Sequence, residues 1–370
     1  MSTIHICVDA RILKTGIGVY LQNGLSKLQE SRNINTMALV KDTDEEDDIF
    51  KGRVSAKKFN FNIYTIKEQL GFREAIPKCN LFWSPHYNVP FFKIDAKHRV
   101  VTIHDVYHLH IFKQLSLLQK VYVKVAMKAA TLLSDSIITV SDFSKNEIVK
   151  YTGCKPEKIN VIYNGVNQKS HVKDFTAIQS EYGMPDNYLL FVGSVKPHKN
   201  LSKLLDAYLI LNKSFQEKYK IVIVGKKDGF ITADEGLFNI IQSNEVLKKS
   251  IVFTGYVKDV DMDTIYANAS VFVFPSLYEG FGLPPLEAMK CNCPVAASDI
   301  PSVREICEDA VLYFNPDSSL EIKRAIEKIL SNSMLREELI FKGLNQIKKF
   351  DWNVSANKHL ELFEKYIKDV

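Results

Sequence analysis

The chain has no uninterrupted apolar run near the roughly 18 residues that a membrane-spanning helix needs, so it is not read as crossing a bilayer. Cysteine is sparse and scattered. Of Cys7, Cys79, Cys154, Cys291, Cys293 and Cys307, only Cys291 and Cys293 are close, and no His or Cys accompanies them at zinc-ligand spacing. They read as buried free thiols, not metal ligands. No charge of one sign prevails: 48 Lys or Arg stand against 43 Asp or Glu, the pI of about 8.6 is modest, and no nucleic-acid-binding motif is present. Nucleic acid is therefore not an expected partner. The opening Met-Ser-Thr-Ile-His-Ile-Cys-Val-Asp reads as a strand and not as a signal peptide, which sets the expectation of a cytoplasmic protein. What is present, 46% hydrophobic and 25% charged residues over 370 positions, suits a globular enzyme of two domains.

Apolar runs alternate with amphipathic stretches in the rhythm of parallel strands covered by helices, and the series occurs twice. The first predicts strands near residues 4–9, 34–40, 80–84, 98–103, 136–140 and 159–162, with helices at 17–30, 112–133 and 142–151. The second restarts at Tyr188 and continues through runs at Lys220, Ile251, Val271 and Pro294. Residues 164–187 are polar, carry the turn signal Asn164-Gly165 and lack a long periodic run, which places the linker there. Domains of 1–168 and 169–352 follow. A last helix begins near Trp352, with apolar residues at Ala356, Leu360, Phe363 and Ile367. Ligands of open α/β sheets bind outside the carboxyl ends of the strands, so two such sheets predict a cleft between the halves.

The most informative stretch is Ser276-Leu-Tyr-Glu-Gly-Phe-Gly-Leu-Pro-Pro-Leu-Glu-Ala-Met. The apolar run Val271-Phe-Val-Phe before it reads as a buried strand ended by Pro275. Gly280 and Gly282 let the backbone approach a ligand, and Pro284 and Pro285 suit the first turn of a helix. Free amides and the helix dipole at that start favour a phosphate or diphosphate. Glu287, expected in the first turn, can accept two hydrogen bonds from a vicinal diol such as a ribose, while Glu279 on the strand side reaches the other end of the ligand. A second constellation, Phe191-Val-Gly-Ser-Val-Lys-Pro-His-Lys-Asn-Leu, crowds Lys196, His198 and Lys199 into the loop after a strand. Cations beside a helix start suit a bound diphosphate.

With these motifs the chain resembles the retaining nucleotide-sugar glycosyltransferases of family 4, which have the α/β GT-B fold of two Rossmann-like parallel-sheet domains facing across a cleft. The resemblance is densest from Phe191 to Pro316. It implies that Phe281, Gly282, Leu283 and Glu287 bind the donor, that Glu279 holds the sugar hydroxyls, and that the backbone near Tyr256 and Val257 contacts the base. Lys199 matches the family lysine that neutralises the donor diphosphate. Ser194 stands where many members have an arginine, and Lys196, His198, or Lys199 with the helix amides are the alternatives for that charge. In the first domain, Gly16 and Gly18 match a loop near the donor phosphates and the acceptor. His104, by its residues alone a structural hydrogen-bonder, matches the family histidine that touches the donor sugar. His86 and Asp105 are assigned to the acceptor side. The resemblance also sends the last helix, residues 353–370, back onto the first domain.

Asp259-Val-Asp-Met-Asp looks like the metal-holding Asp-x-Asp of the other major glycosyltransferase fold, but its place at a helix start explains it by capping. No metal and no further cofactor are expected. Residues 1–168 hold 23 Lys or Arg against 16 Asp or Glu, the remainder 25 against 27. Lys113, Lys120, Lys124 and Lys128 share a helix with Leu117, Leu118, Val121, Tyr122 and Val125, read either as a solvated lysine edge or as peripheral contact with the inner membrane. The resulting expectation is a retaining enzyme that moves a hexose, mannose favoured, from a GDP- or UDP-sugar to a saccharide or polyprenyl-linked acceptor of a bacterial O-antigen or capsule. A phosphorylase or epimerase on the same fold and a non-catalytic binding subunit are the alternatives.

Overall fold

The computed structural model describes residues 4–13, 16–31, 33–41, 54–225 and 235–368. They form two compact units: one ends at Gly165 and resumes at Trp352, and the other runs from Val166 to Asp351.

The first unit is a parallel sheet of seven strands: β1 (Ile4–Asp9), β2 (Ile34–Val40), β3 (Val54–Lys58), β4 (Cys79–Ser84), β5 (Ala96–Thr102), β6 (Ser136–Thr139) and β7 (Ile159–Val161). Their order is β3-β2-β1-β4-β5-β6-β7. The chain therefore reverses direction across the sheet between β1 and β4, the point at which such sheets open a crevice. β3 went unread because Val-Ser-Ala-Lys-Lys at an edge buries only Val54 and has no continuous apolar run. The helix expected over 112–133 is interrupted: a 3-10 turn at Phe112–Gln114 precedes the helix Leu117–Leu133. Ser116 and Gln119 form a capping box there, which fixes the new start. The last helix, Trp352–Lys368, packs on the helix Gly16–Glu30, with Phe363 and Ile367 in the same core as Tyr20 and Trp83. Residues 369 and 370 of the expected helix lie outside the described residues.

The second unit holds β8 (Tyr188–Val192), β9 (Lys220–Val224), β10 (Ile251–Gly255), β11 (Val271–Phe274), β12 (Val295–Ser298) and β13 (Leu312–Phe314). All pair in parallel in the order β10-β9-β8-β11-β12-β13, so the reversal falls between β8 and β11. The central strands are buried on both faces, as their near-continuous apolar sequences require. Residues 164–187 are not plain linker: Phe175–Tyr182 is a helix, capped by Asp174 at its start and by Gly183 in a left-handed conformation at its end. With only Ile178 buried, it lacks the long apolar stripe that periodicity detects.

Candidate functional site

In the second unit the two sequence constellations meet at the carboxyl ends of neighbouring strands β8 and β11. After β8 the chain runs through Ser194 and Lys196 into a 3-10 turn, Pro197–Lys199, and then the helix Leu201–Leu209. After β11 it runs from Pro275 to Gly282 and enters the helix Leu283–Lys290. A backbone hydrogen bond from the Leu277 amide to the His198 carbonyl, 2.7 Å, ties the loops together. Lys199 Nζ lies 2.6 Å from Glu279 Oε1, with both side chains mostly buried. Sequence reasoning gave Lys199 the diphosphate and Glu279 the sugar hydroxyls, without a contact between them; the structure pairs the two side chains directly. Lys199 also sits 5.8 Å from the centre of the Phe274 ring. The pair neutralises a cation and an anion that burial would otherwise penalise.

The helix Leu283–Lys290 starts one residue before its prolines, because Gly282 adopts φ 101°, ψ 58°, a left-handed conformation that disfavours residues with a Cβ. Pro284 and Pro285 have no amide hydrogen, so the free donors at this start come from Gly282 and Leu283. Glu287 is the fifth helical residue, not one of the first turn as expected. Half-buried, it accepts a hydrogen bond from Tyr266 Oη at 3.0 Å. Burial raises its pKa above the usual carboxylate value, opposed by the Tyr266 hydrogen bond and the Lys290 ammonium. Lys290 itself pairs with Asp263 at 2.6 Å. Phe281 is buried and meets Phe350 edge-on at 5.7 Å, so its ring is committed to packing. Tyr256 is exposed and Val257 buried just beyond β10. Ser194 is half-buried and its carbonyl accepts the Lys196 amide at 2.8 Å; Lys196 is exposed and His198 half-buried. Asp261, from the Asp-x-Asp look-alike, lies in the first turn of the helix Asp259–Asn268 and accepts from Lys173 Nζ at 2.6 Å and Tyr182 Oη at 2.8 Å.

In the first unit the carboxyl ends of β1, β4 and β5 carry a buried charge cluster, His86 and His104. His104 Nε2 is 3.0 Å from the Pro85 carbonyl, and so carries the proton it donates there. Burial lowers its pKa, which keeps the ring neutral and leaves Nδ1 as an acceptor. Tyr20 stands edge-on to it at 4.7 Å between ring centres. Tyr20 Oη is in turn 2.9 Å from Thr102 Oγ1 and 2.7 Å from His359 Nε2, and Trp83 Nε1 donates to Thr102 at 3.0 Å. His86 Nδ1 accepts the Asn88 amide, and burial, with His104 and His108 adding, brings its pKa down to about 3. Asp105 accepts the amide of Tyr107 two residues on, a local turn contact.

Gly16 and Gly18 are not a loop ahead of the first helix but its first and third residues. A Cβ on Gly18 would lie 1.8 Å from the Leu13 carbonyl oxygen, so this glycine serves the turn itself; among the described residues, one on Gly16 would meet open space outside its own helix turn. Sequence reading missed the cluster beside them. Arg11 reaches Asp9 with Nε at 2.8 Å and one terminal nitrogen at 2.6 Å, and that nitrogen also meets Glu68 at 2.7 Å. Asn88 donates to Glu68 at 2.7 Å, and the guanidinium lies 4.6 Å from the Phe59 ring. An acid and an arginine two residues apart just past an apolar strand are the signal that was available.

On the same unit the helix Leu117–Leu133 is apolar on two sides. Val123, Ala126, Met127 and Ala130 are buried, while Leu117, Leu118, Val121, Val125 and Leu132 are 50 to 84% exposed. At about 100° per residue the exposed five share an arc of roughly 100°, opposite the buried face. Lys120, Lys124 and Lys128 run along this helix, and no Asp or Glu occurs from Val106 to Ser134.

Comparison with known proteins agrees with this architecture. A family model described as Glycosyl transferases group 1 matches residues 173–346, and one described as Glycosyltransferase Family 4 matches residues 78–169. O-antigen chain mannosyltransferase B of Escherichia coli is 30% identical over 294 residues, 78% of this chain and 74% of that protein. The serotype-specific mannosyltransferase WbdA of Escherichia coli is 32% identical over 241 residues, 63% of this chain; the match spans only 29% of that longer protein. Among solved structures, HepE of Anabaena in complex with UDP-glucose superposes with a TM-score of 0.78 at 17% identity, covering 98% of this chain and 99% of that one. A likeness at that identity speaks for the fold. Sustained identity over most of a relative's length, with a family model on each unit, means that the chain belongs to family 4 of the glycosyltransferases, the group 1 transferases of GT-B fold.

Proposed function

We propose that the chain transfers a hexose, with mannose the first choice, from a nucleoside diphosphate to a saccharide or polyprenyl-linked acceptor during assembly of a bacterial O-antigen or capsule, retaining the anomeric configuration. The observation that carries the reading is the Lys199–Glu279 contact of 2.6 Å at the reversal point between β8 and β11. Mannose is favoured by relatives named as mannosyltransferases. The donor's ribose rests on Glu287, its diphosphate on Lys199 and the amides of Gly282 and Leu283, and its sugar hydroxyls on Glu279. On diphosphate entry Lys199 exchanges Glu279 for phosphate oxygens, and the carboxylate it releases accepts from the sugar. Transfer breaks the bond from the anomeric carbon to the phosphate oxygen and forms one to the acceptor oxygen on the same face. The acceptor proton passes to the departing phosphate. Negative charge grows on that phosphate, where Lys199 and the two amides stabilise it more in the transition state than before. This chemistry draws its positive charge from the protein and requires no metal. His104, neutral with Nδ1 as acceptor, suits a hydrogen bond from a sugar hydroxyl and not acid catalysis.

A thermal-shift screen against GDP-mannose, other GDP-sugars and UDP-, ADP- and dTDP-sugars, without metal, tests the donor. At 100 times its dissociation constant the right nucleotide adds about 2.7 kcal/mol of stability. The shift is expected with one nucleotide class and is lost in Glu287→Ala. Because burial holds the Glu287 pKa up, acidification weakens nucleotide binding at a higher pH than an ordinary glutamate would, and Glu287→Gln removes that dependence. A shift that survives Glu287→Ala sinks the ribose assignment. Turnover with phosphate and no sugar acceptor indicates a phosphorylase.

Acceptors attached to polyprenyl are met at a membrane, and the exposed apolar arc of the helix Leu117–Leu133 with its lysines suits the cytoplasmic face of an anionic bilayer. Each lysine near such a surface contributes about 1 kcal/mol. Sedimentation with phosphatidylglycerol vesicles is expected for the wild type, with little on phosphatidylcholine. Leu118→Asp with Val121→Asp abolishes it and leaves the nucleotide shift intact; equal sedimentation of that variant refutes the assignment.

A further inference from the structure

We infer that Asn200 is a positioning residue that sets the Lys199–Glu279 geometry for sugar transfer, an inference that rests on the function proposed above. Asn200 joins the turn Pro197–Lys199 to the helix Leu201–Leu209 with φ 56°, ψ 34°, a left-handed conformation that admits few residues other than glycine and asparagine. Glycine alone would satisfy the turn. The asparagine adds a buried amide, 7% exposed, whose Nδ2 donates to the Pro275 carbonyl at 3.0 Å and to the Pro316 carbonyl at 2.8 Å.

Pro275 is the first residue past β11 and opens the loop that carries Glu279, while Pro316 lies two residues past β13. One amide, adjacent in the chain to Lys199, thus holds the Glu279 loop and a third loop at once. On the other side of Lys199, the His198 carbonyl holds the Leu277 amide of the same loop. Lys199 lies between two residues that are both bonded to the segment bearing its partner. Its backbone is held fixed relative to Glu279, so that the change from carboxylate to phosphate requires only the side chain to move. A group displaced by about 1 Å from its productive place costs roughly 10²-fold in rate.

The test compares Asn200→Gly, which keeps the left-handed turn and deletes both hydrogen bonds, with wild type in a transfer assay. The expected result is a kcat lower by about 10- to 100-fold, with the nucleoside diphosphate dissociation constant changed much less. In a Lys199→Ala background the glycine causes no further fall in kcat, which a general loss of folded protein would not reproduce. Asn200→Asp, isosteric and compatible with the left-handed turn but without an amide donor, runs the same comparison if the glycine variant does not fold. Wild-type kcat in Asn200→Gly, or an equal fall with and without Lys199, overturns the role of Asn200. A wild-type chain that binds nucleotide yet transfers no sugar overturns the function it rests on instead, so the two failures are separate.

Discussion

Lys199→Ala lowers kcat by about 10²- to 10³-fold, roughly 3–4 kcal/mol of transition-state stabilisation, in a chain that still folds and still binds nucleotide. The size follows from where the charge sits. Lys199 is mostly buried at the strand ends and is held within 2.6 Å of a carboxylate, so water screens its field far less than at the surface. The negative charge that develops as the sugar leaves has few other positive partners among the residues identified. Ser194 offers no charge, and Lys196 is exposed. Removal of Lys199 also leaves Glu279 without its cation, and nucleotide repulsion from that carboxylate raises KM. Glu279→Gln separates the two effects: it frees Lys199, so nucleoside diphosphate binds more tightly while transfer still falls. Single-turnover kinetics with both variants provide the check, and a Lys199→Ala enzyme with wild-type kcat sinks the proposed mechanism.

Arg11→Ala destabilises the first unit by about 3–5 kcal/mol, because it leaves the carboxylates of Asp9 and Glu68 buried without their shared cation. Burial works against the Arg11 charge, but Asp9 and Glu68 more than offset it, and the guanidinium is held more firmly protonated than usual. The side chain is also packed against Phe59 and Phe72, so its loss removes contacts as well as charge. A chain of two compact units is not expected to unfold in one step. Both tryptophans, Trp83 and Trp352, belong to the first unit, so urea unfolding followed by tryptophan fluorescence reports on it selectively. The fluorescence transition moves to lower urea, while the nucleotide-induced thermal shift of the second unit survives. An unmoved transition shows that the cluster contributes no net stability.

The two parallel sheets were legible because their central strands are buried on both faces and read as near-continuous apolar runs, as in Tyr188–Val192 and Val271–Phe274. β3 and β13 were not, since edge strands bury little: Leu312 and Tyr313 are only half-buried. The helix Phe175–Tyr182 was missed for the same reason. Local chemistry marked the loop after β11, through its two glycines and two prolines, yet it placed the helix start one residue late. The left-handed turn at Gly282 depends on how that loop packs, with Phe274 and Val303 beside it.

Residue types and their spacing along the chain thus marked the central strands and the loops that carry glycine and charge, and made Glu279, Glu287 and Lys199 candidate site residues. Only the tertiary structure decided which of them meet. Lys199 and Glu279 are 80 positions apart, Arg11 and Glu68 57, Tyr20 and His359 339, and no periodicity connects residues so separated. Strand order brings Lys199 to Glu279, since β8 lies beside β11 where the crossovers reverse and the carboxyl ends of adjacent parallel strands deliver their loops to one edge of the sheet, whereas Tyr20 meets His359 because the helix Trp352–Lys368 packs on the helix Gly16–Glu30.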